Sequence, residues 1–173
     1  GRRGVGRVAV VGGCLWIGGL WVLLRRRCHL TKVPRPGSIR AMSDAKSSPL
    51  PTNSSSPTYA LRRRLPDNVL GKALFSLGMS VRVPYFGTIL PYVEQMQPGL
   101  CRVSAPKWFG VYNHIHTFHA IAACNLAEVA MGMLMEATTP STHRWIPKGM
   151  TASYLTKATT RLTAVATLAE PVD

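Results

Sequence analysis

From Asn113 to Ala137 the chain runs NHIHTFHAIAACNLAEVAMGMLMEA, and the residue types best suited to chemistry gather there. After His119 only Asn125, Glu128 and Glu136 interrupt a run of Ala, Met, Leu, Ile, Val, Cys and Gly. Taking a carboxylate into apolar surroundings costs on the order of several kcal/mol unless it is paired, and it disfavours the charged form. Glu128 is therefore a candidate general base or nucleophile. The plainer alternative is a Glu that pairs with a nearby Lys or His, or that faces a wet groove between two copies.

Asn113 to His119 lie before and at the start of the helix that this run predicts. The leading N–H groups of a helix have no intrahelical acceptor, and its dipole favours negative charge there. Such an end can polarise a carbonyl oxygen. Asn113 either binds substrate or caps the turn. About two to three helical turns separate the helix start from Glu128, so one subunit can supply the N–H groups and its neighbour the acid.

His114, His116 and His119 form HxHxxH. Their spacing matches the three histidines of the zinc motif HxHxDH of metallo-β-lactamase-like enzymes, with Phe118 in place of the aspartate. Only His143 and a few carboxylates remain downstream. No metal or cofactor is assigned, and one or two of the histidines read as structural donors near the helix start. Met131, Met133 and Met135 do not share one helix face and read as core filler. Trp145 is core or the wall of an acyl pocket. Lys148, Lys157 and Arg161 flank late strands and matter only for a phosphate-bearing substrate.

These residues need elements to hold them. Pro66-Asp67-Asn68 is a helix start. Val69, Leu70, Ala73, Leu74 and Leu77 then give the helix one apolar face. Tyr92 to Met96 and Leu100 to Ala105 are strands joined by a Gln97-Pro98-Gly99 turn, with Lys107 to Tyr112 as strand or loop. The helix carrying Glu128 is apolar on nearly every side and so predicted to be buried. Thr138 to Pro147 is a loop. Gly149 to Lys157 and Arg161 to Leu168 are predicted strands, with Ala158-Thr159-Thr160 turning between them. Strands gathered around one long helix imply an α+β fold, an antiparallel sheet wrapped on that helix. Covering such a helix takes about four strands, so the expectation is that the C-terminus is truncated.

The sequence has 173 residues, 46% hydrophobic, and a formal net charge of +14 from 21 Lys+Arg against 7 Asp+Glu. That composition excludes wholesale disorder. The charge invites a nucleic-acid reading, but it sits in the wrong place. Residues 1–41 carry Arg or Lys at 2, 3, 7, 25–27, 32, 35 and 40 and no acid. Residues 67–173, with eight Lys/Arg against six Asp/Glu, are nearly neutral and lack the basic stripe of a nucleic-acid-binding domain, so nucleic acid is not an expected partner. Cys14, Cys28, Cys101 and Cys124 show no CxxC spacing and suit free thiols in a reducing compartment.

Three segments follow. Residues 1–41 contain the uncharged run Val8 to Leu24, flanked by Arg7 and Arg25-Arg26-Arg27. It suits a short membrane anchor, a targeting presequence, or translated 5′ untranslated sequence, because the first Met is Met42. A start at Met42 implies a cytoplasmic protein. Otherwise residues 1–41 make it membrane-anchored or mitochondrial. Residues 42–66 are a disordered Ser/Pro linker ending in Arg62-Arg63-Arg64, a solvated charge run. Residues 67–173 are the folded domain.

NHIHTFHAIAACNLAE followed by RWIPKGMTASYLTKA resembles the hotdog-fold thioesterase superfamily, in the branch akin to phenylacetate-pathway acyl-CoA thioesterases and domains of unknown function. The resemblance covers residues 67–173. It implies a long helix wrapped by an antiparallel sheet, a homodimer or tetramer with active sites at the subunit interface, and an acyl-CoA thioester as substrate. By position, Asn113 resembles the loop Asn near the thioester, and His119 the His that opens the helix. Ala120 would supply the polarising N–H, and Glu128 resembles the acid that activates water or attacks the thioester. Lys157 and Arg161 lie where such enzymes meet CoA phosphates. His116 stands where relatives commonly have Gly, and Ala120-Ile121 where many active relatives have Gly-Gly. A non-catalytic acyl-binding or assembly module is the alternative within the same fold.

Overall fold

The Pro98-Gly99 pair turns the chain as its residue types require. Proline presets its own φ, and Gly99 takes φ 79°, which side chains disfavour. Strands β3 (Tyr92–Gln97) and β4 (Leu100–Ala105) therefore pair antiparallel, with Gln97 opposite Leu100. The register shifts between Val93 and Gln95, which leaves Glu94 as a bulge. On the far side of β4 lies β6 (Leu162–Thr167), also antiparallel. Its Leu162, Ala164 and Ala166 are buried and the residues between them are half-buried, the alternation the sequence predicts.

The structure is a computed structural model that describes residues 7–10, 15–16, 56–147, 149–150, 152, 154 and 157–168. Within these residues the architecture is α+β. Beyond the three antiparallel strands, β1 (Arg7–Val10) runs parallel along β6, giving the order β1-β6-β4-β3. A purely antiparallel wrap does not anticipate that edge. A small second sheet pairs β2 (Leu15–Trp16) with β5 (Arg144–Trp145). Of the apolar run Val8 to Leu24, residues 8–10 and 15–16 are thus extended rather than helical, and the remainder lies outside the described residues.

The helix with the chemistry-bearing residues is α4 (Ala120–Thr138), packed across the sheet. Leu126, Val129, Ala130, Leu134 and Ala137 are sealed against the sheet and neighbouring helices, and Met131, Met133 and Met135 are buried beside them. Although α4 is long and apolar enough to cross a membrane, it serves here as the core helix. Truncating a sealed Leu such as Leu126 to Ala costs about 2–5 kcal/mol in cores of this kind. On the sheet side Cys101 is fully enclosed, and burial pushes its thiol up to about 12.

Two expectations for the first half need correction. Part of the linker, residues 57–64, is helix α1 (Pro57–Arg64). Pro57 suits a first helical turn because its missing N–H would go unpaired anyway. Tyr59 and Arg62 are buried, and Arg62 is ion-paired with Asp67. Of the arginine triplet only Arg63 and Arg64 are the solvated charges expected.

The second correction concerns α2 (Val69–Arg82). It starts where predicted, with Asn68 Oδ1 accepting from the Gly71 N–H at 2.8 Å. Its predicted apolar face, however, points away from the core: Val69, Leu70, Leu74 and Leu77 are all exposed. The face turned inward is Gly71, Phe75, Ser76 and Met79. Gly71 is required there, because a Cβ would collide with the Pro66 carbonyl. The Ser76 hydroxyl donates to Lys72 O (2.7 Å) and accepts the Val93 N–H (2.9 Å), fastening α2 to the bulged strand. A short helix, α3 (Pro84–Gly87), follows and touches α4.

A third correction falls after α4. The described residues of the expected strand Gly149 to Lys157, namely 149, 150, 152, 154 and 157, are not strand. Tyr154 bonds to α4 instead of joining a ladder. The rest of that segment, Lys148 included, lies outside the described residues.

Candidate functional site

The site begins with a closed loop. Tyr112 and Phe118 form a bridge, and Asn113 organises the residues between them. Asn113 Oδ1 accepts from the N–H groups of Ile115 (3.1 Å) and Thr117 (3.0 Å), and its Nδ2 donates to Thr117 Oγ1 (2.7 Å). Its backbone N–H donates to Thr117 O and its carbonyl accepts from His116 N–H. Asn side chains favour such turns because they mimic the backbone. Of its two sequence readings, Asn113 here makes the cap. His116 takes φ 56°, the left-handed region where a Gly is most at ease, and its ring meets Tyr112 edge-on.

Two more bonds place the loop over α4: His119 N–H donates to Val111 O (2.8 Å) and Phe118 N–H to Ala158 O (2.9 Å). His119 is the N-cap, its Nδ1 accepting from the Ile121 N–H at 3.1 Å. That bond requires Nδ1 to carry no proton. The Ala120 N–H, next in line, has no acceptor among the described residues. It remains available for an oxyanion.

From that end a ridge of residues four apart runs down one side of α4: Ala120, Cys124, Glu128, Gly132 and Glu136. Its upper end is covered by Tyr154. The Tyr154 hydroxyl donates to Ala120 O (3.2 Å) and lies 2.9 Å from Cys124 Sγ, where either atom can donate. The Cys124 contact, then desolvation and the charge of a Cys124 thiolate, raise the phenol above its ordinary 10.0. The lower end is covered by Trp145, whose Nε1 donates to Glu136 Oε1 at 2.9 Å. Ser56 Oγ donates to the other Glu136 oxygen. The indole packs close to Gly132, where a Cβ would sit 3.3 Å from Trp145 Cη2, so a large side chain there has no room.

Glu128 lies between these two covers. It is half-buried and makes no hydrogen bond or ion pair among the described residues. Each cover begins about one turn away along the helix, so about 12 Å of the ridge around Glu128 has no cover among the described residues. The structure thus brings Ala120, His119, Glu128 and Trp145 onto one helix and its covering loop, with Asn113 holding the loop above.

The remaining predicted residues are placed elsewhere. Arg161 donates to Glu94 (3.2 Å) and Ser104 Oγ (3.1 Å), on the sheet. Lys157 and His114 are exposed. Among the described residues no three His, Cys, Asp or Glu side chains come together to hold a metal. A groove of about 410 Å³ lies between the α1–α2 connection and β3, lined in part by Arg62, Asp67, Lys72 and Glu94, and holds none of the predicted site residues.

Sequence reasoning missed Cys124, Gly132, Glu136 and Tyr154. The first three are legible as a four-residue recurrence with Glu128. Tyr154, thirty residues from Cys124, has no local signal. Asn125 was also passed over. It is buried, donates to Tyr85 O (3.2 Å) and Thr88 Oγ1 (3.4 Å), and leaves its Oδ1 without a partner among the described residues.

None of the curated proteins matches the chain. A crystal structure of a genomics target, APC5556, is similar to it at 42% identity, covering 65% of this chain and 73% of that one, with a TM-score of 0.56. The model of a domain of unknown function, DUF4442, matches residues 71–172, which take in most of α2, the hairpin, the Asn113 loop and α4 with Trp145 and Tyr154. With more than half of its length matched, the chain belongs to the DUF4442 family.

Proposed function

We propose that this chain is a hotdog-fold acyl-CoA thioesterase that works as a dimer or tetramer. The observation that carries the reading is Glu128: a half-buried acid on the ridge of α4 that has neither partner nor cover among the described residues. The Ala120 N–H supports it as a donor at the end of the same helix. About 12 Å separate the two along one helix, too far for both to act on one carbonyl within a subunit. A second copy laid against the ridge would bring its own Glu128 toward the first copy's Ala120.

Water attacks the thioester carbonyl carbon while the Glu128 carboxylate takes its proton. The resulting oxyanion is held by the Ala120 N–H at the positive end of α4. The C–S bond then breaks, the CoA sulfur leaves, and Glu128 returns the proton to it. His119 acts by holding the helix start, and Asn113 by fixing the loop above it.

A panel of acyl-CoA thioesters with thiol detection tests this reading. The wild-type chain is expected to release thiol, and Glu128→Ala to lose about 10²–10⁴ in rate. Undiminished hydrolysis by Glu128→Ala overturns the mechanism.

A second reading, a non-catalytic acyl-binding or assembly module, is favoured by Asn113, whose side chain makes three hydrogen bonds within its own loop. Tight acyl-CoA binding without turnover would select it.

A further inference from the structure

The outward face of α2 has no cover among the described residues. Leu70, Leu74, Leu77 and Val81 recur at spacings of four, three and four, which makes one straight stripe. They are 65%, 51%, 61% and 72% exposed, and Val69 beside them is 76% exposed. The opposite face of the same helix is packed inward through Phe75 and Met79. A helix apolar on both sides needs burial on both sides.

The charges around the stripe have one sign. Arg63 and Arg64 are exposed just before α2, and Arg82 is exposed at its end. Neither α1 nor α2 contains an acid. Asp67, between them, is already tied to Arg62 and Lys72. Just beyond, Tyr85 is exposed, an apolar ring with a polar tip of the kind that favours a membrane interface.

We propose that α2 seats this stripe in the headgroup boundary of an anionic phospholipid bilayer. An apolar stripe with basic ends complements a surface that is apolar within and negative at its rim. A second copy is the poorer fit. Two-fold pairing of α2 brings Arg82 against Arg82, or against Arg63 and Arg64, with no acid on α1 or α2 to separate them. The stripe also offers only a few hundred Å² in rough terms, against about 800 Å² per partner for a stable protein interface. A bilayer imposes no such minimum. The docking is independent of the Glu128 site and of the thioesterase reading.

Flotation of the full chain with vesicles tests it, using phosphatidylcholine alone and phosphatidylcholine with phosphatidylserine. The wild-type chain is expected to float with the anionic vesicles and to be released by salt. Leu74→Glu together with Leu77→Glu is expected to weaken that binding roughly tenfold or more. Both side chains are exposed, so the thermal melt is expected to hold, and the milder Leu77→Ser should give a smaller loss in the same direction. Replacing Arg63, Arg64 and Arg82 with Gln should lower anionic binding toward that seen with phosphatidylcholine. The proposal is overturned if the wild-type chain floats with neither vesicle, or if the double Glu variant floats like wild type. It is equally overturned if that variant dissociates a dimer in sedimentation while vesicle binding is unchanged, which would make the stripe a contact between copies.

Discussion

The indole of Trp145 rests against Gly132, at a distance where an added methyl would stand 3.3 Å from Cη2. A few tenths of an ångström of yielding would relieve that contact, and Trp145 is only half-buried. Gly132→Ala is therefore expected to be neutral or to stabilise by up to about 1 kcal/mol, because Ala is the better helix former. Gly132→Leu is expected to expel the indole and break its bond to Glu136. Urea denaturation of the two variants checks the opposite signs.

Glu128 should separate stability from function. It contributes no described hydrogen bond or ion pair, so Glu128→Gln is expected to leave folding stability within about 0.5 kcal/mol of wild type. The same variant should lose thiol release from acyl-CoA. A large loss of stability in a urea melt would instead mark Glu128 as a structural partner.

Asp67 sets a pH dependence. Its hydrogen bonds to Lys72 and then Arg62, with the charges behind them, hold its carboxyl below the ordinary 3.8. A depressed folded value means stability that is fully present above 3.8 and is lost as the pH falls from there through the lower folded value. Urea midpoints between about pH 6 and about pH 2 should therefore fall less steeply in Asp67→Asn than in wild type.

The Asn113 loop predicts a pair of opposed effects. Asn113→Ala removes three side-chain hydrogen bonds and is expected to cost about 1–3 kcal/mol. His116→Gly relieves a left-handed backbone and is expected to gain about 0.5–1 kcal/mol. Thermal melts of the two single variants check both.

What could be read ahead of the structure was what short-range chemistry dictates. Pro98-Gly99 can hardly do other than turn, and Leu162, Ala164 and Ala166 can share only one face of a strand. A run such as Ala120 to Ala137 belongs inside. The orientation of α2 was not legible for a physical reason. Its richest apolar stripe, Leu70 to Val81, competes with a thinner one made of Gly71, Phe75 and Met79. The choice between them depends on where Pro66 and Val93 lie. Helix α1 was hidden by its Ser- and Pro-rich approach, because what anchors it is the long-range bond from Ser56 to Glu136 and the burial of Tyr59. Within the site, Glu128 stood out as a lone acid, whereas Tyr154 and Trp145 reach the ridge only through tertiary contacts.

The Ser76 hydroxyl, bonded at once to its own helix and to the Val93 amide, has a kinetic consequence. For α2 to peel from the sheet, the Val93 N–H must give up its acceptor at the bulge. The two elements should therefore open as one cooperative unit, with the Val93 amide exchanging its hydrogen at the rate of that joint opening. The leucine stripe outside is thus carried on a rigid backing. Whatever meets it encounters a finished relief, with no folding entropy left to surrender on contact.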